Sequence, residues 1–234
     1  MPLPGLSGAG HAGLVAVISA SSNTPVDLSA LLGVDSSAPV VYSLFVSSGV
    51  TQGSTSVSTP AIDATGLHAD SIGYWFVDGT VVGKGGNGAY VPAGGFPFSL
   101  SPGGGGGGAG AAVGVGGAGF APGTNGSNGT STTGGAAGVN DPTPTAAAGA
   151  TIDAEDGGDA VHLSHTAVVI VSGGVRGGGG GGGYNSSGFI PQAAGNLDSD
   201  GSGNIHFGVK GYAVRLSGTG AWSASGGGTV GTVG

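Results

Sequence analysis

Residues 158–164 read Gly-Asp-Ala-Val-His-Leu-Ser, and residues 211–217 read Gly-Tyr-Ala-Val-Arg-Leu-Ser. Both fit the pattern G-x-A-V-x-L-S, and the likeness continues at Thr166 and Thr219. A weaker third copy, Gly-Phe-Pro-Phe-Ser-Leu-Ser, covers residues 95–101. Repeats of this kind predict stacked β units, each of which buries one face on its neighbour.

A second recurring piece is an apolar strand, a small turn and then Val. It reads Trp-Phe-Val-Asp-Gly-Thr-Val at 75–81, Val-Ile-Val-Ser-Gly-Gly-Val at 169–175 and Trp-Ser-Ala-Ser-Gly-Gly-Gly-Thr-Val at 222–230. The first two copies run directly into glycine-rich sequence, at Gly83 and Gly177. We therefore expect variable glycine loops to project from one side of the stacked repeats.

The composition of the remaining segments also favours strands. Leu14–Ile18, 40–46 and 71–77 are rich in Val, Ile, Tyr, Phe and Trp and are bounded by turn residues. Residues 51–59 alternate small polar residues with Val57 and are typical of an exposed edge strand. Leu28–Leu32 fits one helical turn or a short strand, and we favour the turn. Because no segment has a sustained apolar period of 3.6 residues, little helix is expected.

The predicted fold is mostly β. An N-terminal β-sandwich-like module would cover residues 1–83, a glycine-rich region residues 84–157, and β repeats with a second glycine run residues 158–234.

Glycine supplies 58 of the 234 residues, and two runs, 103–108 and 177–183, are pure glycine. Such runs can adopt polyglycine-II-like geometry, an extended helix without internal hydrogen bonds that can bond sideways to copies of itself. A flexible linker is the alternative. Apolar residues such as Val113 and Phe120 interrupt the glycine and favour ordered packing. Val substitutions across 177–183 are then expected to be harmful at every third position and silent between.

Charge excludes one class of partner. Charged residues make up 7% of the chain, the net charge is −8, and the basic residues are few and scattered: Lys84, Arg176, Lys210 and Arg215. They form no phosphate-binding stripe, so we expect no nucleic-acid binding. The absence of Cys excludes disulfides and Cys-based zinc sites.

The beginning of the sequence shows no sign of a targeting segment. It carries no Lys or Arg before the first apolar run, and that run, Leu14–Ile18, is short for a signal peptide and far short of a membrane span. We expect neither a secretion signal nor a transmembrane segment.

Residues 198–205 resemble the first half of an EF-hand calcium loop, with Gly203 at the sharp turn. Position 12, where the loop needs a bidentate Glu, is Val209. A polar turn is the alternative, because Asp, Ser, Gly and Asn are ordinary turn residues. Calcium is the one cofactor that we consider, and its oxygen ligands would be Asp198, Asp200, Ser202 and Asn204.

No catalytic constellation stands out, so we predict a non-enzymatic protein. An acidic cluster could in principle serve sugar hydrolysis, but it lies in a glycine-rich stretch and is interpreted as a solvated loop: Asp153, Glu155, Asp156 and Asp159. His162 and His165 would point to opposite faces of a strand and could not share a metal. The chain has neither a G-x-S-x-G nucleophile elbow nor the Gly-Lys-Ser/Thr ending of a phosphate loop.

The order of motifs resembles a known family. Ser-Asn-Thr-Pro-Val-Asp-Leu at 22–28 is followed by Gly-Ser-Thr-Ser-Val-Ser-Thr-Pro at 53–60. Tyr-Trp-Phe-Val-Asp-Gly-Thr-Val-Val-Gly-Lys-Gly-Gly-Asn-Gly at 74–88 then leads into the glycine runs. From about residue 14 onward the chain resembles the glycine-rich tail fibre and host-specificity proteins of tailed bacteriophages. It departs from the pattern at Ser101-Pro102, which pass into glycine without the expected strand.

This resemblance implies a structural role in the phage tail, near host attachment. The protein would be made in the host cytoplasm, join the virion, trimerise and contact other tail proteins and a bacterial surface receptor. Substitutions in 103–129 would alter host range more than folding, and Asp at Val169 or Ile170 would abolish assembly. The alternatives are a free glycine-helix surface- or ice-binding protein and a secreted glycine-rich bacterial surface protein.

Overall fold

The computed structural model describes residues 13–91, 93–98, 101–142, 145–148, 151–186 and 190–234, and of 93–98 and 145–148 the backbone alone. The predicted fold class is confirmed, because these residues form several β-sheets and one short helix.

Three parallel sheets form the body of the molecule. After the first strand, β1, each full turn of the chain adds one strand to each sheet. Sheet A contains, in spatial order, β1 (Leu14–Ile18), β3 (Val41–Val46), β6 (Ile72–Val77), β11 (Thr166–Val171) and β16 (Ala221–Ser225). Sheet B contains β4 (Thr51–Gly53), β7 (Thr80–Val82), β12 (Gly174–Arg176) and β17 (Thr229–Val230). Sheet C contains β2 (Val26–Asp27), β5 (Ile62–Ala64), β10 (Val161–Leu163) and β15 (Val214–Leu216). The chain visits sheets C, A and B in turn and stacks each rung on the last, which makes a three-sided parallel β-solenoid.

The strand register confirms the main repeat. Val161 pairs with Val214 and Leu163 with Leu216, so the two G-x-A-V-x-L-S copies are adjacent strands of sheet C. The third copy is not a rung. Its residues 95–98 fall on β8 (Ala93–Phe98), which pairs antiparallel with β9 (Thr145–Ala148) instead of joining sheet C, and its residues 99 and 100 lie outside the described residues.

The strand–turn–Val repeat is confirmed for two copies and shifted in the third. Trp75 lies opposite Val169, as the alignment of those copies requires. Trp222, however, lies opposite Ala167, because the third copy has two more residues before its final Val.

The N-terminal β-sandwich-like module is not confirmed. Strands from residues 14–82 and from residues 161–230 are neighbours in the same three sheets, and every pairing between them is parallel. The solenoid therefore runs across the boundaries drawn at 83/84 and 157/158, and the three-domain division stays a prediction.

The short segment Leu28–Leu32 forms α1, as favoured from the sequence. Asp27 caps it by accepting hydrogen bonds from the amides of Ser29 and Ala30, and Gly33 ends it in the left-handed region at φ 67°. The predicted edge strand at 51–59 is shorter than expected: β4 ends at Gly53, and serine hydroxyls hydrogen-bond the following turn.

The solenoid core follows the alternation of its strands. Trp75 and Val77 of β6 and Val169 of β11 point inward and are buried. One polar chain lies among them: the Trp75 indole N–H donates to the Tyr42 hydroxyl (2.9 Å), which also lies 2.7 Å from Nε2 of His165. Burial raises the pKa of Tyr42 and lowers the pKa of His165 to about 4.

The glycine run 103–108 lies at the centre of a bundle of extended segments that hydrogen-bond sideways. Every third amide donates to the same neighbour: Gly105 to the Ala89 carbonyl (2.9 Å) and Gly108 to the Gly86 carbonyl (2.7 Å). This three-residue period without internal hydrogen bonds is that of polyglycine II. The run donates to segments 83–89, 124–130 and 190–196 and accepts from segments 112–118, 133–139 and 177–183.

The second run, 177–183, is enclosed in the same way. It donates to segments 103–110, 152–158 and 199–203 and accepts from 83–89, 190–196 and 205–211. The lateral bonds arrange the segments in three layers: 112–118, 83–91 and 152–158; then 124–130, 101–110, 177–183 and 205–211; then 133–139, 190–196 and 199–203. Both glycine runs are therefore packed in an ordered manner and are not flexible linkers.

A side chain has no room in the two enclosed runs. A Cβ at Gly180 would lie 1.9 Å from the Gly208 carbonyl oxygen, and every position of 177–183 meets backbone at 1.9 to 2.4 Å. The expectation of silent positions within 177–183 is therefore wrong, because neighbours surround that run on all sides. The three-residue period holds on peripheral segments such as 205–211, where Gly208 and Gly211 face neighbours and larger residues stand between them.

Asparagine and aspartate side chains complete the hydrogen bonding at the bundle surface. The Asn87 side-chain oxygen accepts from the Val115 amide (2.9 Å), and the Asn128 oxygen accepts from the Gly116 amide (3.0 Å). These amides face away from the neighbouring backbones, so a side chain supplies the acceptor that the packing does not.

The bundle is attached to one corner of the solenoid. Segments 83–91 and 177–183 continue from β7 and β12 of sheet B, and segments 152–158 and 205–211 lead into β10 and β15 of sheet C. Both glycine-rich excursions thus occupy the corner between sheets B and C, on the opposite side from sheet A.

Candidate binding surfaces

The end of the bundle remote from the solenoid carries most of the longer connections between segments. The chain runs away from the solenoid along 83–91 and returns along 101–110, and the later segments alternate in the same manner. The turns on the solenoid side are short, at 111, 131–132 and 197–198. The remote connections include β8 and β9, residues 119–123, the antiparallel pair β13 (Tyr184–Asn185) and β14 (Ile190–Pro191), and Asn204.

Hydrogen bonds fix the base of this remote end. The Ser101 and Asp141 backbones bond to each other in both directions (2.9 and 3.0 Å). The Asn140 side chain accepts from the Gly103 amide (2.8 Å), and the Tyr184 hydroxyl donates to the Gly103 carbonyl (2.7 Å). Tyr184 is buried, and burial raises its pKa. The connections therefore start from an ordered platform.

The outer face of sheet A is a second exposed surface and is largely apolar. Three rows of outward side chains cross the strands: Val41, Ile72, Thr166, Ala221; Val15, Ser43, Tyr74, Val168, Ser223; and Val17, Phe45, Phe76, Ile170, Ser225. We call this set the outer apolar face. Phe45 and Phe76 stack with ring centroids 4.8 Å apart, while Val15 and Ile170 are 61% and 46% exposed. None of the outward residues is charged.

Val169 and Ile170 are both expected from the sequence to lie on a buried strand face, but they lie on opposite sides of β11. Val169 is fully buried in the solenoid, whereas Ile170 belongs to the outer apolar face. The expectation of a buried strand face applies to Val169 alone, because successive residues of a strand alternate in direction.

The segment of the predicted calcium ligands runs along an outer layer of the bundle, and its side chains contact different groups. Asp198 contacts the Arg176 guanidinium (2.7 Å) and the Gly177 amide (2.7 Å). The Asp200 carboxylate accepts from the Lys210 amide (2.9 Å), and the Asn204 side chain bonds Ser186. Ser202 uses its backbone, donating to Ala193 and accepting from Gly183. The structure does not bring the four side chains together, and calcium binding stays a prediction that titration of the full chain can test.

The acidic cluster is likewise divided among separate contacts. Asp153 pairs with His206, Glu155 lies 3.7 Å from the Lys84 ammonium, and Asp156 accepts from the Val209 amide. Asp159 pairs with Arg215 and holds the pKa of that guanidinium above its usual value. These carboxylates stabilise the bundle and its junction with the solenoid.

His162 and His165 do not share one strand, because His162 lies on β10 and His165 lies in the turn between β10 and β11. His162 is half-buried in sheet C, and His165 is buried in the core beside Tyr42. Across the described part of the chain, no three His, Cys, Asp or Glu side chains form a group that could hold a metal.

Comparison with family models, curated proteins and solved structures finds no match for this chain. Within the described residues, none of the helical structure has the length and apolarity that a membrane crossing needs.

Proposed function

We propose that this chain is a tail fibre or tail tip protein of a bacteriophage, a virion component that contacts a bacterial surface receptor and neighbouring tail proteins. The observation that carries the proposal is the gathering of the longer connections at one end of a bundle whose other end is attached to a β-solenoid. Such a protein can vary its connections without rebuilding a core, because the segments bond mainly through backbone groups.

The same packing suits mechanical load. The two enclosed glycine runs hydrogen-bond to neighbours on every side, with donor–acceptor distances mostly near 2.9 Å. A force applied to the remote end is thereby distributed over many lateral bonds. Binding by such an end requires no catalytic group, and we propose a non-enzymatic role.

The segment proposed for receptor contact is narrower than the range expected from the sequence. The expectation that substitutions throughout 103–129 alter host range more than folding fails for 103–108, because these residues are enclosed. Within that range, the connection 119–123 is the candidate for receptor contact. Its backbone is anchored by the Phe120 amide, which donates to the Pro102 carbonyl (2.8 Å).

Paired insertions test the proposal. A short Gly-Ser peptide inserted after Phe120, at the remote end, should reduce adsorption of the purified protein or of phage carrying it to host cells. The same peptide inserted after Ser131, in an exposed turn on the solenoid side, is the matched control and should leave adsorption unchanged. Equal adsorption by the two folded variants and the unmodified protein would contradict a receptor site at 119–123.

A free surface- or ice-binding protein is the second candidate. The outer layer of the bundle formed by 133–139, 190–196 and 199–203 exposes Val139 at 66%. Thermal hysteresis of the purified protein would favour this candidate, and its absence together with specific adsorption to bacteria would favour the tail protein.

A further inference from the structure

The outer apolar face exposes a large contiguous apolar area. Seven of its side chains are exposed large hydrophobics, namely Val15, Val17, Val41, Phe45, Ile72, Val168 and Ile170. From their exposed fractions we estimate roughly 600 Å² of apolar surface, at the upper end for a monomer. A standard interface buries about 800 Å² on each partner, so the face with its polar margin has the size of an interface.

We propose that this face lines the threefold axis of a homotrimer, so that two further copies of the chain cover it. The proposal gives the trimer expected for the tail protein a specific interface. In this arrangement the strands of sheet A run along the axis, and three sheets form a triangular prism with a shared apolar interior.

The dimensions of sheet A fit such a prism. Strands lie about 4.8 Å apart, so the five strands span about 19 Å. The centre of a triangle with sides of that length lies about 5.5 Å from each side. This distance is close to half of the spacing of about 10 Å between packed sheets, which is the depth that one layer of side chains fills.

The sizes of the outward side chains follow the same geometry. The middle strand, β6, comes closest to the axis and carries the largest set, Ile72, Tyr74 and Phe76. The edge strand β16, which would lie at a corner, carries only small residues. Two flat sheets packed face to face would instead place the large middle residues against one another and leave the edges poorly filled.

The position of the bundle permits the assembly. Both glycine-rich excursions leave from the corner between sheets B and C, opposite sheet A. In the trimer, three bundles therefore point away from the axis, and none of them obstructs the approach of the three faces.

The first test is the oligomeric state of the full chain by native mass spectrometry and light scattering. We expect a trimer for the unmodified protein and a folded monomer for Ile170→Asp, which places a charge on the face. Val139→Asp, an equally drastic change at an exposed residue of the bundle, should stay trimeric. A monomeric or dimeric unmodified protein would overturn the proposal. A trimer that survives Ile170→Asp would overturn the interface but leave the tail function standing.

A crosslink tests the geometry even if Ile170→Asp fails to fold. Val15 on β1 and Ser223 on β16 lie in the same row, so a threefold axis brings β1 of one copy beside β16 of the next at the same height. The chain contains no Cys, so Val15→Cys combined with Ser223→Cys introduces a unique pair. We expect oxidation to give a covalent trimer on a non-reducing gel, whereas each single variant gives none. A covalent product that ends at the dimer would refute the threefold arrangement.

Discussion

Alanine at Gly106 provides a direct test of the enclosed packing. A Cβ there would lie 2.1 Å from the Gly135 carbonyl oxygen and 2.7 Å from the Gly135 carbonyl carbon. Ordinary contact begins near 3.4 Å, so the neighbouring segment must move by about 1 Å. That segment is itself held by hydrogen bonds to other segments, so the strain cannot be relieved locally.

The expected cost follows from overpacking and from weakened hydrogen bonds. Overpacking costs about 1–3 kcal/mol. The Gly106 amide donates to the Gln192 carbonyl (3.1 Å) and its carbonyl accepts from the Gly182 amide (2.8 Å), and displacement weakens both bonds. Each buried group left without a partner costs about 1–3 kcal/mol, while the reduced entropy of the unfolded chain returns about 0.4–1 kcal/mol. We expect a net loss of about 3 kcal/mol, or a fall in Tm of about 6–12 °C for a chain of this size.

Gly227→Ala is the matched control. A Cβ at Gly227 meets nothing within 4 Å, and its φ lies outside the left-handed region. Its Tm should stay within about 2 °C of the unmodified protein, because an exposed substitution changes stability by about 0.5 kcal/mol or less. Calorimetry of the purified proteins, with circular dichroism to verify folding at low temperature, provides the measurement. Equal Tm values for Gly106→Ala and Gly227→Ala would refute the enclosed packing of 103–108.

Three further predictions concern the solenoid and the bundle surface. Folding lowers the pKa of His165 from 6.5 to about 4, so the unfolded state binds more protons between those two pH values. The free energy of unfolding should therefore be constant above pH 6.5 and fall by about 3 kcal/mol as the pH drops to 4. Urea unfolding at several pH values measures this slope, and an unchanged slope in His165→Gln would show that another group causes it. Val169→Asp should prevent folding because it buries an unpaired charge; native circular dichroism for this variant would contradict the core assignment. Asn87→Ala should lower the free energy of unfolding by about 1 kcal/mol by removing the acceptor of the Val115 amide, and hydrogen exchange should show faster exchange at that amide and not at the Gly114 amide, whose acceptor is the Gly108 backbone.

Local patterns were sufficient to locate the strands of the solenoid. Leu14–Ile18 forms a strand with the predicted limits, and two other predicted strands differ from β3 and β6 by one residue at the start. The repeat at 158–164 and 211–217 correctly indicated neighbouring β units. These features are readable because alternation of side chains and turn residues are local properties, and because repeated units bury equivalent positions.

The candidate surfaces were less accessible from sequence. Ser and Asp spacing at 198–204 suggested convergent ligands, but Asp198 lies in the turn at the solenoid end of the extended segment 199–203 and Asn204 lies at its remote end, so the side chains find separate partners. The outer apolar face was missed, although Val15, Val17, Val168 and Ile170 alternate with buried residues. These strands carry apolar residues on both sides, a pattern typical of strands that are covered on both faces. This pattern was the available signal for the outer apolar face.

Sequence patterns alone indicate that the protein is mostly β, built from repeated units and rich in glycine, and the apolar residues between the glycines favour ordered packing over a flexible linker. The three-dimensional arrangement adds that the units form a single solenoid, that 103–108 and 177–183 are enclosed, and that the other extended segments form the surface of the glycine bundle. Sequence patterns do not give this arrangement, because polyglycine segments bind each other through backbone amides and carbonyls, which are the same at every residue. The order of neighbouring segments is therefore set by the points at which the chain leaves the solenoid, after β7 and β12, and re-enters it, at β10 and β15.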